Sequence, residues 1–205
     1  AIEYENYSTA HIFSDKPITY TGTNQKIVNY DGAYMGNISL RYALSDSRNV
    51  PAVEAFQAVD NDKIKEFVTN LGIKPEVDSE GYVHEAHALG AFNGSSPLQM
   101  AGAYAAFSNG GTYYEPYSVN KIILRDSDEK IDFESEGKKV MSDATAYMVT
   151  NVLRDVPGRN GIPTLTSDQF AMKTGTTNYD EETTRRYGYS SDAAPDGWLV
   201  GYTPN

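Results

Sequence analysis

Two short stretches stand out by the types and spacing of their polar side chains. Lys173-Thr174-Gly175-Thr176 sets an ammonium beside two hydroxyls with a glycine between them. On a strand this reads as Lys and both hydroxyls sharing a face, with the glycine letting a ligand lie against the backbone. Such a segment can bind a carboxylate and offer a backbone N–H to an oxyanion. The same triplet also fits an ordinary edge strand. The second stretch is Ser47-Arg48-Asn49, with Asn49 standing 124 positions before Lys173 (173 less 49). Ser and Asn are equally the residues a helix end takes for capping, so a plain structural role fits them too.

The elements that must position these residues follow from turn signals and apolar spacing. Residues 1–36 are rich in Tyr, Thr and Gly and show no helical period, which predicts loops and short extended pieces. Asn37 is read as the cap of a helix carrying Ile38, Tyr42 and Leu44 that runs out at Ser45-Asp46-Ser47. A second helix is expected from Pro51, with Asn49 or Val50 before it and Val53, Phe56 and Val59 at helical spacing. A third is expected from Asp60 to Leu71, with Ile64, Phe67 and Leu71 inward and Gly72 as its stop. Ser47-Arg48-Asn49 therefore falls in a tight joint between two helices.

Ser96-Pro97-Leu98-Gln99 is the strongest start signal, a Ser cap with Gln placed to reciprocate it. The helix it opens is apolar nearly all round through Phe107, which predicts burial in the middle of a domain, and it ends at Asn109-Gly110-Gly111. Val119–Leu124, the polar turn Asp126–Glu129 and the alternating Lys130–Glu134 read as a hairpin. A helix is expected over Asp143–Leu153, then a Gly/Pro loop over Val156–Gly161, a strand over Gln169–Thr176 and a last strand over Gly197–Tyr202. The polar stretch Asn178–Asp196 between those strands is read as a mobile loop. Helices first and antiparallel strands last make an α+β pattern.

Composition narrows the function classes. The 205 residues carry 28 acidic against 17 basic side chains, a net charge of −11, which argues against nucleic acid or an anionic membrane surface as partner. Zero cysteine excludes a disulfide scaffold, a thiolate metal site and a Cys nucleophile. The apolar runs fall far short of the ~20 residues that span a bilayer. With 16 Tyr, 7 Phe and one Trp the chain has the apolar surface for one large or two small domains.

Four blocks in order, Ser-Arg-Asn-Val-Pro-Ala-Val, the Pro97–Pro116 segment, Lys-Thr-Gly-Thr-Thr-Asn and Trp-Leu-Val-Gly-Tyr-Thr-Pro, resemble the transpeptidase domain of Gram-positive class A penicillin-binding proteins. The resemblance covers essentially the whole chain, 1–205, and implies the penicillin-binding protein and serine β-lactamase fold, with the helical part and the first strands of its antiparallel sheet. That family uses a Ser-x-x-Lys nucleophile, a Ser-x-Asn and a Lys-Thr-Gly strand. By resemblance Ser47 relays protons with the helical lysine, and Asn49 bonds the backbone amide of a bound stem peptide. Lys173 orients Ser47 and keeps the site electropositive. Thr174 and Thr176, with Gly175 between them, bind the carboxylate of a D-Ala-D-Ala peptide, and the Thr176 N–H forms half of the oxyanion hole. No metal or organic cofactor is implied.

The chain departs from the family at the nucleophile, which the resemblance expects a short way before Ala1. Ser118-x-x-Lys121, Ser127-x-x-Lys130 and Ser135-x-x-Lys138 fit the pattern formally, but all lie in the expected hairpin or its turns. There, positions three apart point to opposite faces, whereas the chemistry needs the Lys one helical turn from the Ser. The expectation is a segment cut at both ends, silent alone, that partners an N-terminal stretch carrying the nucleophile. A closing strand and C-terminal helix are expected after Asn205. Its parent would be membrane-anchored with this domain on the extracytoplasmic face, taking stem peptides and β-lactams. A non-catalytic module that holds wall peptides on the Lys173 strand stays open, as does a β-lactamase or D,D-carboxypeptidase. His84-Glu85-Ala86-His87 lacks metalloprotease spacing and an evident third ligand, so a surface loop is the simpler reading.

Overall fold

The computed structural model describes residues 1–127, 129–162, 169–190 and 193–204. Asp128, inside the polar turn and one formal Ser-x-x-Lys, lies outside the described residues, as do Ser191 and Asp192 of the stretch before the last strand. The chain opens with α1 (Ile2–Glu5), β1 (Ile12–Asp15), β2 (Ile18–Thr19), β3 (Lys26–Ile27) and β4 (Gly36–Ser39). β1 pairs antiparallel with β4, Phe13 opposite Ile38 and Asp15 opposite Gly36, and β2 pairs with β3. The helix expected from Asn37 thus starts later. Ile38 belongs to a strand, and Ser39, whose hydroxyl accepts from the Tyr42 N–H, caps α2 (Leu40–Ser45). Pairing with β1, far earlier in the chain, overrides the local cap at Asn37.

α3 (Asn49–Gln57) begins two residues before Pro51, and α4 (Asn61–Asn70) is capped by the Asp60 carboxylate and stops ahead of Gly72. α5 (Pro97–Ser108) carries the anticipated box, in which Ser96 Oγ accepts from the Gln99 N–H and Gln99 Oε1 accepts from the Ser96 N–H. It is not buried all round as expected: Gly102, Ala103 and Ala106 are buried, while Leu98 is 60% exposed. Gly102 is where α5 meets Pro116, since a Cβ there would lie 2.5 Å from the Pro116 ring.

β5 (Thr112–Tyr113), β6 (Lys121–Ile123), β7 (Lys130–Asp132) and β8 (Lys138–Lys139) follow. β6 and β7 form the expected hairpin, and every residue of both strands is exposed. α6 (Asp143–Leu153) has the expected bounds and a Ser142 cap. Part of the Gly/Pro loop is instead the short α7 (Val156–Arg159). β9 (Ala171–Thr177) pairs antiparallel with β10 (Asp196–Tyr202) in unbroken register, Lys173 opposite Val200. Between them, α8 (Glu181–Tyr187) occupies much of the stretch read as a mobile loop, capped by Asp180, whose carboxylate accepts from the Thr183 N–H and hydroxyl.

α6 is the common floor. Its Val152 joins Phe13, Leu40 and Ala43 under α2, and its Leu153 joins Val156, Ala171 and Met172 under β9. Val152, Val156 and Met172 are fully buried, each worth about 1.5–3 kcal/mol of transfer free energy. One helix thereby fixes the distance between the end of α2 and the middle of β9.

Candidate active site at the α2–α3 joint and strand β9

Ser47 sits where a helix is turned off. The Ser47 N–H donates to Leu44 O at 3.2 Å and the Arg48 N–H to Ala43 O at 2.9 Å, the paired closing bonds of a left-handed helix end, and Ser47 has φ +55°. Glycine is the usual occupant of that position. A serine there carries backbone strain of about 1–3 kcal/mol, the kind that accumulates at functional sites. The next helix then starts at Asn49. Neither Ser47 nor Asn49 provides its cap: Asn29 Oδ1 accepts from the Asn49 N–H at 2.9 Å and the Val50 N–H at 3.3 Å.

From the other side comes Lys173. Its Nζ donates to Ser47 Oγ at 2.8 Å and to the Thr174 carbonyl at 2.8 Å. The structure thus joins the two stretches that sequence reasoning singled out across 126 positions. Partial burial of the ammonium, behind which Ala171 and Met172 are packed, lowers the Lys173 pKa from its ordinary value. Ser47 itself is exposed. A hydroxyl that accepts from an ammonium keeps its own proton for a further acceptor, so the pair can pass a proton between a bound ligand and the lysine.

Other placements amend the sequence reading. Because the β9 register is unbroken, side chains alternate, and Lys173 and Gly175 share one face while Thr174 and Thr176 take the other. This corrects the reading that put Lys with both hydroxyls on one face. Gly175 and Thr176 are exposed and Thr174 is half-buried. Asn49 Nδ2 donates to the Val28 carbonyl at 2.8 Å, so its amide nitrogen already has a protein partner and its Oδ1 is the atom to meet a ligand N–H. His84 uses Nδ1 to accept from the Ala86 N–H, as a local cap, and His87 Nε2 lies 3.6 Å from Glu76.

Sequence reasoning missed the polar cluster behind the joint. Asp15, Asn29 and Arg48 are all buried, and the Arg48 side chain is wholly withdrawn from solvent. Arg48 Nε donates to Asp15 Oδ2 at 3.1 Å, Nη1 to Asp31 Oδ2 at 2.8 Å and Nη2 to the Ala33 carbonyl at 2.6 Å. The Arg48 hydrogen bond holds the Asp31 carboxyl below its ordinary pKa. Asp15 Oδ1 accepts from Asn29 Nδ2 at 2.7 Å. Arg159 of α7 lies over the Tyr42 ring at 4.1 Å and 3.7 Å from Asp46, tying the underside of β9 to the same joint. The only signal in the sequence was an arginine between a serine and an asparagine, which looks like any surface residue.

A concavity of about 420 Å³ runs along β10 between Pro97, Ala101 and Asp196–Gly201, and it includes neither Ser47 nor Lys173. Of the pair, Ser47 is exposed and Lys173 half-buried.

The family description "Penicillin binding protein transpeptidase domain" matches residues 1–205. Penicillin-binding protein 1A/1B of Bacillus subtilis is 42% identical over 208 residues, covering 99% of this chain and 22% of that protein. Penicillin-binding protein 1A of Streptococcus pneumoniae is 42% identical over 216 residues, covering 99% of this chain and 29% of that protein. The chain therefore spans about a quarter of the length of these relatives. Among solved structures, PonA1 from Mycobacterium tuberculosis superposes with a TM-score of 0.77 at 23% identity, over 96% of this chain and 53% of that one. Penicillin-binding protein A from the same organism, as a ceftriaxone acyl-enzyme complex, gives 0.72 at 19% identity, over 97% and 48%. At those identities the likeness speaks to the fold.

Proposed function

We propose, from the premise that this chain belongs to the penicillin-binding protein transpeptidase domain family, that it is part of a serine D,D-transpeptidase acting on peptidoglycan stem peptides that end in D-Ala-D-Ala. The observation that carries the reading is the 2.8 Å contact of Lys173 Nζ with Ser47 Oγ. In the reaction, a nucleophilic serine attacks the penultimate D-Ala carbonyl, the peptide C–N bond breaks, and the terminal D-Ala leaves with a proton. An amine from a neighbouring stem then attacks the ester, the cross-link forms, and the serine recovers its proton. β-Lactams enter the first half of this cycle and stop at the ester.

Within this reading Ser47 relays the proton between nucleophile, leaving group and the helical lysine of the Ser-x-x-Lys, Lys173 orients Ser47 and keeps the site electropositive, and Asn49 Oδ1 meets the donor peptide's N–H. One edge of β9 is taken by β10. An extended peptide can lie along the other edge, its carboxylate near Thr174 and Thr176 and its scissile oxygen at the Thr176 N–H. The nucleophile is a Ser-x-x-Lys supplied by sequence outside these 205 residues, because the described residues of each formal match inside them belong to the β6–β7 region or the approach to β8 and not to a helix. Among the described residues no helix is long and apolar enough to cross a membrane; the proposal places the domain on the extracytoplasmic face, with the anchor elsewhere in the parent.

Fluorescent penicillin tests this. The full-length protein should label covalently, Ser47→Ala and Lys173→Ala should each label far more slowly while remaining folded, and residues 1–205 alone should not label. Loss of a nucleophile typically costs about 10⁶ in rate. Label mapped to a serine within 1–205 would remove the proposal of an external nucleophile. Reversible stem-peptide binding without acylation by the full-length protein would favour the non-catalytic wall-binding module instead.

A further inference from the structure

The three residues of the α2–α3 joint differ sharply in where they point. Ser47 is exposed, while Arg48 between it and Asn49 is driven into the protein and surrounded by anions. Its Nε and Nη2 both lie 3.1 Å from Asp15 Oδ2, Nη1 reaches Asp31 at 2.8 Å, and Asp46 stands 3.7 Å away. Asp15 is also bonded by the Met35 N–H at 3.1 Å and, through its other oxygen, by Asn29. Asn29 in turn holds the N–H groups of Asn49 and Val50. One carboxylate on β1 therefore anchors both the residue after Ser47 and the start of α3.

A serine in left-handed backbone tends to relax to a commoner conformation unless its surroundings over-determine it. Here the residue that follows it is fixed by a planar fork that meets two carboxylates and a carbonyl at once, a geometry an ammonium cannot reproduce. We infer that Arg48, with Asp15 and Asp31, is a positioning residue of this site, a clamp that keeps Ser47 in its strained turn so that its hydroxyl stays in contact with Lys173 Nζ. The inference rests on the transpeptidase reading for its kinetic consequence, but its structural consequence, the Ser47–Lys173 contact, is independent of any reaction.

The test uses the full-length protein with Arg48→Lys and Asp31→Asn, and Lys173→Ala to assign the Lys173 signal in ¹³C NMR of labelled lysine. Four quantities are read: the thermal midpoint, the burst amplitude of penicillin acylation, its rate constant, and the titration of Lys173. In Arg48→Lys the burst amplitude should hold while the rate constant falls about a hundredfold, the scale on which a small misplacement acts, and the Lys173 titration should move. Asp31→Asn, whose carboxylate is partly solvated, should show the same changes more weakly. If the surviving folded protein acylates at the wild-type rate with an unmoved Lys173, Arg48 is only structural and the inference is overturned. Should Arg48→Lys fail to fold, Asp31→Asn decides by the same readings. If the wild type is not acylated at all, the transpeptidase reading falls, and Lys173 titration in Asp31→Asn still decides the clamp: a displaced titration supports it and an unchanged one overturns it.

Discussion

The two walls of the candidate site are built on opposite principles. The wall at the α2–α3 joint is strained at Ser47 and held by buried charges, Arg48 against Asp15 and Asp31, with Asn29 closing the far side. The β9 wall has extended backbone, Ala171 and Met172 packed on Leu153 and Val156 behind it, one neighbouring strand and an exposed end from Gly175 onward. Hydrophobic contact is non-directional and suffices to hold a strand that already sits in an energy minimum. A backbone outside its minimum needs directional bonds from a satisfied polar network to specify one conformation.

The largest effect should come from breaking the polar wall. Arg48→Met strands Asp15 as a buried unpaired carboxylate, a loss of the kind that costs about 3–5 kcal/mol, read as a fall in the urea midpoint. A loss under about 1 kcal/mol would mean the network is slack and the contrast between the walls wrong. Next, Gly201→Ala should strain the apolar wall from behind, since a Cβ there meets Phe170 at 2.7 Å and the Ala171 carbonyl at 3.0 Å. A destabilisation of about 1–3 kcal/mol, seen in the same assay, is the expected scale for overpacking.

Lys173→Met should have a smaller effect of opposite sign. Burial lowers the Lys173 pKa, so between that lowered value and the ordinary 10.5 the unfolded chain binds more protons than the folded one, and stability rises with pH across that window. At neutral pH the variant, free of the desolvation penalty, should be more stable by at most about 1 kcal/mol, because solvent still reaches part of the side chain. The gain should shrink as pH climbs toward 10.5. A difference that does not change with pH would show that the ammonium is not what burial penalises. Smallest of all, Gly175→Ala should leave stability within about 0.5 kcal/mol, since its Cβ meets only the Trp198 Cβ at 3.4 Å. It should nonetheless slow penicillin labelling by narrowing the surface a ligand must touch; unchanged labelling would place the ligand elsewhere.

Much of this was legible in the chain where local chemistry decides the outcome. The Ser96–Gln99 box, the Asp143–Leu153 helix and the hairpin around Asp126 all form as read, because each signal and its answer lie within a few residues. The likeness to Gram-positive class A penicillin-binding proteins agrees with 42% identity to the Bacillus subtilis and Streptococcus pneumoniae proteins. The meeting of Ser47 with Lys173 came from the family pattern and from no local signal. Where distant pairing decides, the reading failed, as at Asn37, whose cap lost to β1. α8 was missed because Glu181–Tyr187 has no apolar stripe, although the Asp180 cap and the basic last turn, Arg185 and Arg186, were there to be read. Arg48 was illegible in principle, since its burial depends on three anions brought from β1, the β3–β4 connection and the end of α2.

Under the proposed relay role, position 47 is asked for two things at once, a hydroxyl that meets Lys173 and a backbone that L-residues avoid. Glycine would ease the turn and forfeit the oxygen; threonine would keep the oxygen and, being branched at Cβ, resist the turn. Such a residue has almost no neutral neighbours in sequence space, so substitutions can accumulate along the open strand far more readily than at this corner.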